Sequence, residues 1–207
     1  MFDLLAVVLQ FLSGSVMFSY IIAKFLGVDL SKIRDSNPGS TNLWRAKGFK
    51  WGITALALDY FKGTFPLFLF IISGLVKNEY TIAFAALAGV MGHAFSPMLR
   101  FKGGKAVATT FGAWSVLTKW QGPVILGTVF SLFSLFKRKT TVEEDSFRVL
   151  IGFLVLGVFV FYKVLGGNFH ILVFYTGNFA IVSYKHWKDW RRFFLKVRTK
   201  RKSSGLY

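Results

Sequence analysis

The chain has 207 residues, of which 54% are hydrophobic, including 25 Phe, and its formal net charge at pH 7 is +17. So much apolar surface excludes an ordinary soluble domain and predicts an all-α integral membrane protein. The absence of cysteine excludes disulfides, thiolate metal sites and a cysteine nucleophile.

The apolar stretches predict about seven transmembrane helices, because a helix needs ~17–25 apolar residues to cross the hydrocarbon core. They cover about Leu4–Phe25, Gly52–Leu75, Tyr80–Leu99, Ala106–Leu117, Pro123–Phe136, Arg148–Leu165 and Phe169–Tyr184. The fourth and fifth are short, so they are tilted, partly re-entrant, or one hairpin that does not fully span. Residues 1–184 are then the membrane catalytic domain and residues 185–207 a basic tail.

Basic residues alternate between the predicted loops. The first, third and fifth loops contain Lys32, Arg34, Arg45, Lys47, Lys50, Arg100, Lys102, Lys105, Lys137, Arg138 and Lys139, and the tail adds nine more. The other loops contain one lysine each. Because loops rich in Lys and Arg stay in the cytoplasm, the N-terminus is predicted outside and the C-terminus in the cytoplasm. The cations flank membrane spans, so the tail is expected to contact anionic lipids of the membrane and not nucleic acid.

The first basic loop concentrates turn-forming and short polar residues, reading SNPGSTN over residues 36–42. Successive backbone N–H groups in such a loop can point into one concavity that suits a phosphate. Arg45 would add a bidentate guanidinium on the same face. The alternative is a polar cap on a short helix, with Arg45 reaching the lipid headgroups.

The third loop reads Lys-Gly-Gly-Lys over residues 102–105, just before an apolar helix. Two glycines allow close backbone approach, and the helix N-terminus adds partial positive charge, which suits a phosphoryl group. The spacing is not that of a Walker loop, so nucleotide hydrolysis is not predicted. A tight interfacial turn with lysines on lipid is the alternative.

Two histidines fall beside the predicted cytoplasmic loops. His186 has Asp189 three residues later, so a carboxylate can orient its imidazole. Taken alone, however, the segment favours the alternative of an interfacial helix with an aromatic belt. His93 lies near the predicted cytoplasmic end of the third apolar stretch, where it is either functional or packed between helices.

Together these residues resemble the bacterial acyl-phosphate glycerol-3-phosphate acyltransferases. The matching segments are Ser15 in the first span, Asn37–Asn42 with Arg45, Leu58–Gly63, Gly92-His93 with Phe101–Lys105, and Lys185-His186. The resemblance implies a multi-pass enzyme of the cytoplasmic (inner) membrane, with its active site facing the cytoplasm. It moves a fatty acyl group from acyl phosphate to the 1-hydroxyl of glycerol 3-phosphate, giving lysophosphatidate. A soluble enzyme that makes acyl phosphate is the implied partner.

The resemblance also implies roles for individual residues. Arg45, Lys105 and His186 would be catalytic and would handle the glycerol phosphate. The implied substrate-binding residues are Asp35, Ser36, Asn37, Gly39, Thr41, Asn42, His93, Lys102, Gly103, Gly104, Thr141 and Asp189. Among these, Asn37, Thr41 and the loop Lys102–Lys105 would hold the acyl phosphate.

The chain departs from the family pattern at four places. Arg34–Ser36 replaces Gly-Ser-Gly before Asn37, so a serine contact is lost, shifted to Ser36 or supplied by Asp35. Ala106 replaces a glycine after the lysine. Asp189 replaces an asparagine and puts a negative charge where a phosphate contact is expected. The fifth loop has three acidic residues where the family is generally serine-rich.

Acyl phosphate is a mixed anhydride with a good leaving group, so neither a covalent nucleophile, a metal nor a cofactor is required. Positioning and charge neutralisation suffice. His186, His93 or the departing phosphate can accept the hydroxyl proton, and we expect the phosphate to do so. The alternatives are a transporter of a phosphate-containing solute or another membrane lipid transferase.

Overall fold

The computed structural model describes residues 2–136 and 140–203. Over these residues it is all-helical, with nine α-helices and no strand. The helices are α1 Phe2–Ser15, α2 Phe18–Phe25, α3 Ser40–Lys47, α4 Phe49–Ile72, α5 Glu79–Ala94, α6 Val107–Thr118, α7 Gln121–Phe136, α8 Val142–Leu165 and α9 Phe169–Ser203. The basic residues Lys137, Arg138 and Lys139 of the fifth predicted loop lie outside the described residues.

Four helical stretches of the described chain are long and apolar enough to cross a membrane. They are Phe2–Phe25, Phe49–Ile72, Glu79–Leu99 and Val142–Leu165. The helices α6 and α7 are apolar but shorter, with 12 and 16 residues, as their short apolar stretches predicted. The helical membrane character is therefore confirmed, while the count of seven spans and the orientation stay predictions.

The first span is two helices, and a buried ion pair lies beside the break between them. Lys62 Nζ lies 2.9 Å from Asp59 Oδ1 and donates to the carbonyl of Val16, at the end of α1, over 2.5 Å. Ser19, on α2, donates to Asp59 Oδ2 at 3.2 Å. A charge within a membrane protein is costly unless it is paired, so these contacts join α1, α2 and α4 through polar groups.

Pro66 lies inside α4 and is accommodated by α1. Proline has no N–H, so the carbonyl of Lys62, four residues earlier, lacks its usual helical partner. Gln10 Nε2 donates to that carbonyl at 3.1 Å and Ser13 at 3.0 Å. Gln10 Oε1 accepts from the N–H of Leu67 at 3.1 Å. A single glutamine therefore satisfies both backbone groups that the proline disturbs.

Glycines let the helix backbones touch. A Cβ on Gly14 of α1 would lie 2.0 Å from the carbonyl oxygen of Gly89 on α5, and one on Gly63 of α4 would lie 2.5 Å from that of Thr109 on α6. Small residues at such crossings maximise van der Waals contact between membrane helices. The loops that follow α2 and α5 meet at one end of the bundle, where Lys105 contacts Asp35.

Candidate active site

A cavity of about 520 Å³ opens at that end and has a polar and an apolar side. Its polar lining comprises Arg34, Asp35, Asn37, Gly39, Ser40, Thr41, Asn42, Asp59, His93, Lys105, Asp145, Ser146, Arg148 and His186. Its apolar lining includes Ile53, Leu56, Ala57, Val107, Phe111, Phe130 and Val149. Such a lining suits a ligand with a charged head and a hydrocarbon tail.

Lys105 lies between two carboxylates from distant parts of the chain. Its Nζ is 2.7 Å from Asp35 Oδ2 and 2.7 Å from Asp189 Oδ2. Burial raises the pKa of Asp35, but the hydrogen bonds and charge of Lys105 and the amide of Asn42 outweigh it, so that pKa lies below its usual range. Both carboxylates thus contact one lysine, and they join the first loop, the third loop and α9.

Asn42 fixes the shape of the first loop. Its side chain is buried, and its Nδ2 lies 2.9 Å from Asp35 Oδ1 and 3.0 Å from the carbonyl oxygens of both Ile33 and Asn37. The amide donors of Asn42 are therefore used within the loop. Its contribution is to hold Asp35 in place against Lys105.

The glycines of the third loop pack on the end of α5. A Cβ on Gly103 would lie 2.0 Å from the carbonyl oxygen of His93, and one on Gly104 would lie 2.4 Å from His93 Nε2. Lys185, on α9, donates to the carbonyl of Gly103 at 2.7 Å. Lys102 is exposed. The two glycines allow a close approach that places Lys105, and not Lys102, on the cavity.

His186 is buried and neutral. Its Nδ1 lies 2.9 Å from the carbonyl oxygen of Val182, which requires a proton on Nδ1 and leaves Nε2 as the acceptor. Burial, and after it the positive charge of Lys105, lower the pKa of His186 to about 4. The imidazole at the cavity is therefore a weak base that can accept a hydrogen bond from a hydroxyl group.

A family model described as "Glycerol-3-phosphate acyltransferase" matches residues 4–196. This chain belongs to the glycerol-3-phosphate acyltransferase family. The acyltransferase class and the role in phospholipid synthesis predicted from the sequence are thereby confirmed. Glycerol-3-phosphate acyltransferase 1 of Thermotoga maritima is 58% identical over 199 residues, which are 93% of this chain and 98% of that protein. The glycerol-3-phosphate acyltransferase of Aquifex aeolicus is 32% identical over 77% of this chain and 90% of its own.

Solved structures of the same family have the same fold. The chain is similar to the crystal structure of PlsY (YgiH), an integral membrane glycerol 3-phosphate acyltransferase, in its glycerol 3-phosphate form. The TM-score is 0.78 with 28% identity, over 94% of this chain and 92% of that one. The lysophosphatidic acid form of PlsY matches with a TM-score of 0.74 over the same shares. This acyltransferase is accordingly a membrane protein.

Seven residues that the resemblance assigned to the acyltransferase site do not line the cavity. They are Ser36, Arg45, Lys102, Gly103, Gly104, Thr141 and Asp189. Arg45 is exposed on α3. Thr141 is the N-cap of α8, where its Oγ1 accepts from the N–H of Glu144 at 3.3 Å. Ser36 donates to the carbonyl of Ser31 at 2.6 Å. Substrate contacts by all the assigned site residues, on or off the cavity, stay predictions.

Sequence reasoning missed a group of cavity residues that join the first loop to α8. They are Arg34, Asp145, Ser146 and Arg148. Arg34 counted as a loop cation and as part of a departure from the family pattern, Arg148 as the start of the sixth apolar stretch, and Asp145 as one of the acidic residues of the fifth loop. The only signal in the sequence for this contact is the opposite charge of Arg34 and Asp145, which lie 111 residues apart. One sequence contains many pairs of opposite charge, so this signal does not identify the pair that meets in the fold.

Proposed function

We propose that this acyltransferase takes its acyl group from acyl phosphate and transfers it to the 1-hydroxyl of glycerol 3-phosphate, releasing lysophosphatidate and phosphate. The observation that carries the proposal is a cavity in which Lys105 and His186 adjoin an apolar wall. The hydrocarbon chain of the donor fits that wall, and its mixed anhydride fits the polar end of the cavity. The acceptor is small and polar, so it enters the polar side.

The proposed roles follow the polar lining. Lys105, with Arg45 and His186, handles the glycerol phosphate, and Asn37 and Thr41 contact the donor. His186 Nε2 accepts a hydrogen bond from the attacking hydroxyl and so aims its oxygen at the acyl carbon. The departing phosphate takes the proton, because its leaving oxygen carries the electron pair of the broken bond and is more basic than His186, whose pKa is lowered to about 4. Cations of the polar lining stabilise the charge that develops on the departing phosphate.

The proposed setting is a bacterial cytoplasmic membrane, with seven spans and the active site facing the cytoplasm. The spans are α1 with α2, α4, α5, α6, α7, α8 and the first half of α9. The alternation of basic loops supports an outside N-terminus and a cytoplasmic C-terminus. Residues 1–184 form the membrane domain, and the basic tail contacts membrane lipids. A soluble enzyme supplies the acyl phosphate.

The test is acyl transfer by the purified protein from palmitoyl phosphate to radiolabelled glycerol 3-phosphate, with palmitoyl-CoA as a parallel donor. We expect labelled lysophosphatidate from palmitoyl phosphate alone. Lys105→Ala should abolish it, whereas Lys77→Ala, an exposed lysine between α4 and α5, should not. Transfer from palmitoyl-CoA but not from palmitoyl phosphate would refute the proposed donor. No product from either, with folded protein, would favour another lipid transferase or a transporter.

A further inference from the structure

A second ionic cluster lies on the cavity wall, apart from Lys105. Arg34 Nη2 is 2.9 Å from Asp145 Oδ2, and Arg148 Nη2 is 3.5 Å from Asp145 Oδ1. The hydroxyl of Thr140 donates to Asp145 Oδ1 at 2.7 Å. The four side chains carry two positive charges and one negative charge. The cluster is therefore cationic and borders the cavity through its two arginines and Asp145.

The charge at Lys105 has the opposite sign. Lys105 pairs with both Asp35 and Asp189, so that group carries one positive and two negative charges. A phosphate dianion that approaches Lys105 meets two carboxylates, whereas one that approaches Arg34 and Arg148 meets one carboxylate and two guanidinium groups. Guanidinium groups also bind phosphate oxygens through paired, charge-assisted hydrogen bonds. The arginine cluster is thus the more favourable place for a phosphate in this cavity.

Arg148 also has hydrogen-bonding capacity left over. Its Nε is buried and lacks a hydrogen-bond partner among the described residues. A buried donor without an acceptor costs about 1–3 kcal/mol, and a phosphate oxygen is an acceptor that would remove that cost. The free donor is an observation independent of the charge count, and it also indicates an anionic ligand.

The arginine cluster touches the apolar wall. The guanidinium carbon of Arg148 lies 5.1 Å from the ring centre of Phe130, and the Phe130 ring meets the Phe111 ring edge to face at 5.6 Å. Both rings line the cavity. A phosphate held by Arg148 therefore has a hydrocarbon surface directly beside it, which a glycerol phosphate cannot use and an acyl phosphate can.

We propose that Arg34 and Arg148 form the subsite for the phosphate group of the acyl phosphate donor, while Lys105 and His186 serve the acceptor. This assignment rests on the proposed function. Lysophosphatidate shares the same chemistry, a phosphate with an acyl chain, and is the other amphiphile that the subsite could hold. The donor is favoured because its phosphate is joined directly to the acyl group, so that head and chain fit the adjoining arginine and phenylalanine surfaces.

Steady-state kinetics of Arg34→Gln and Arg148→Gln test the assignment. Each should raise the KM for palmitoyl phosphate about tenfold, the effect of losing about 1.4 kcal/mol, with the KM for glycerol 3-phosphate changed less than about twofold. The KM of Arg148→Lys for palmitoyl phosphate should lie between those of the wild type and Arg148→Gln. Lysine keeps the positive charge but lacks the planar guanidinium group that binds two phosphate oxygens at once. Arg100→Gln, an exposed arginine off the cavity, is the control. A higher KM for glycerol 3-phosphate alone, or weaker product inhibition by lysophosphatidate alone, would overturn the assignment.

Binding measured without turnover separates this proposal from the proposed function. Hexadecylphosphonate, a non-transferable amphiphile, is titrated calorimetrically into detergent-solubilised protein. We expect about tenfold weaker binding to Arg148→Gln than to the wild type, even if the wild type transfers no acyl group from palmitoyl phosphate. Equal binding by the wild type, both Gln variants and Arg148→Lys, with equal thermal unfolding midpoints, would refute the subsite while leaving the transferase activity untouched.

Discussion

Lys105 Nζ lies 2.7 Å from Asp189 Oδ2, and the same carboxylate oxygen accepts a hydrogen bond from Ser146 at 3.0 Å. This contact ties the start of α6 to α8 and α9. By the resemblance, the family pattern has an asparagine at the position of Asp189, so the carboxylate is a departure of this chain from that pattern. It compensates the charge of Lys105, and the proposed acceptor phosphate would compete with it.

Asp189→Asn should therefore improve acceptor binding. The amide keeps the size of the side chain and can accept the hydrogen bond of Ser146, but it removes one negative charge beside Lys105. We expect the KM for glycerol 3-phosphate to fall about fivefold, equivalent to about 1 kcal/mol of relieved repulsion, with kcat nearly unchanged. Initial rates at saturating palmitoyl phosphate measure both constants.

Asp189→Ala is the matched control, since it removes the charge and the Ser146 contact together. We expect it to lower the thermal unfolding midpoint, which Asp189→Asn should preserve. A rise in the KM for glycerol 3-phosphate in Asp189→Asn would mean that the carboxylate assists the acceptor, through its hydroxyl groups, and does not oppose it.

The buried His186 should make stability depend on pH. Its pKa is lowered from 6.5 to about 4, so between these values the unfolded chain binds a proton that the folded chain does not. Stability is then fully present above pH 6.5 and falls as the pH drops towards 4, by about 3 kcal/mol in total. His186→Gln should lose this part of the acid sensitivity.

Thermal unfolding in detergent from pH 4.5 to pH 7.5 measures the effect, as the difference between the wild type and His186→Gln. Other groups titrate in both proteins, so the difference isolates His186. Parallel pH profiles for the two proteins would show that the folded imidazole titrates near its ordinary pKa.

The side chain of Thr141 has two candidate roles, as the N-cap of α8 and as a predicted substrate contact. Its hydroxyl accepts from the N–H of Glu144, whose side chain accepts from the N–H of Thr141 at 2.9 Å. Thr141→Ala should lower stability by about 1 kcal/mol and leave both KM values unchanged, whereas Thr141→Asn should retain most of the stability. Chemical denaturation and steady-state kinetics on the same samples distinguish the two roles. A raised KM with unaltered stability would favour the substrate contact instead.

Local chemistry explains what the sequence could predict. Apolar length and basic loops identified the helices, and the glycines before Lys105 indicated the close approach that places it. The pattern Thr-x-x-Glu from Thr141 to Glu144 is a capping box, so the role of Thr141 at the start of α8 was also readable.

Long-range pairing explains what the sequence could not predict. The stretch Leu4–Phe25 looks like one continuous helix, yet it breaks after Ser15, where the carbonyl of Val16 accepts from Lys62. The hydrogen-bond partner at that break is 46 residues away. The cluster of Arg34 with Asp145 likewise depends on tertiary proximity, and no local spacing encodes it.

Gln10 should stabilise the folded protein because it bonds the two backbone groups that Pro66 leaves without helical partners. Gln10→Met keeps the volume but leaves the N–H of Leu67 without its partner and the carbonyl of Lys62 with Ser13 alone. Each buried backbone group left unpaired costs about 1–3 kcal/mol, so we expect Gln10→Met to destabilise the protein by about 2–4 kcal/mol. Ser13→Ala should cost less, about 1 kcal/mol, since Gln10 still serves that carbonyl.

A double-mutant cycle with Pro66→Ala tests this explanation. Alanine restores an N–H that can bond to the carbonyl of Lys62 and lets α4 continue regularly, so that the N–H of Leu67 regains the carbonyl of Gly63. Gln10→Met should then cost at least about 1 kcal/mol less in the Pro66→Ala background than in the wild type. Thermal or denaturant unfolding of the four proteins gives the coupling. Strict additivity would mean that Gln10 stabilises α1 by packing alone, independently of the proline.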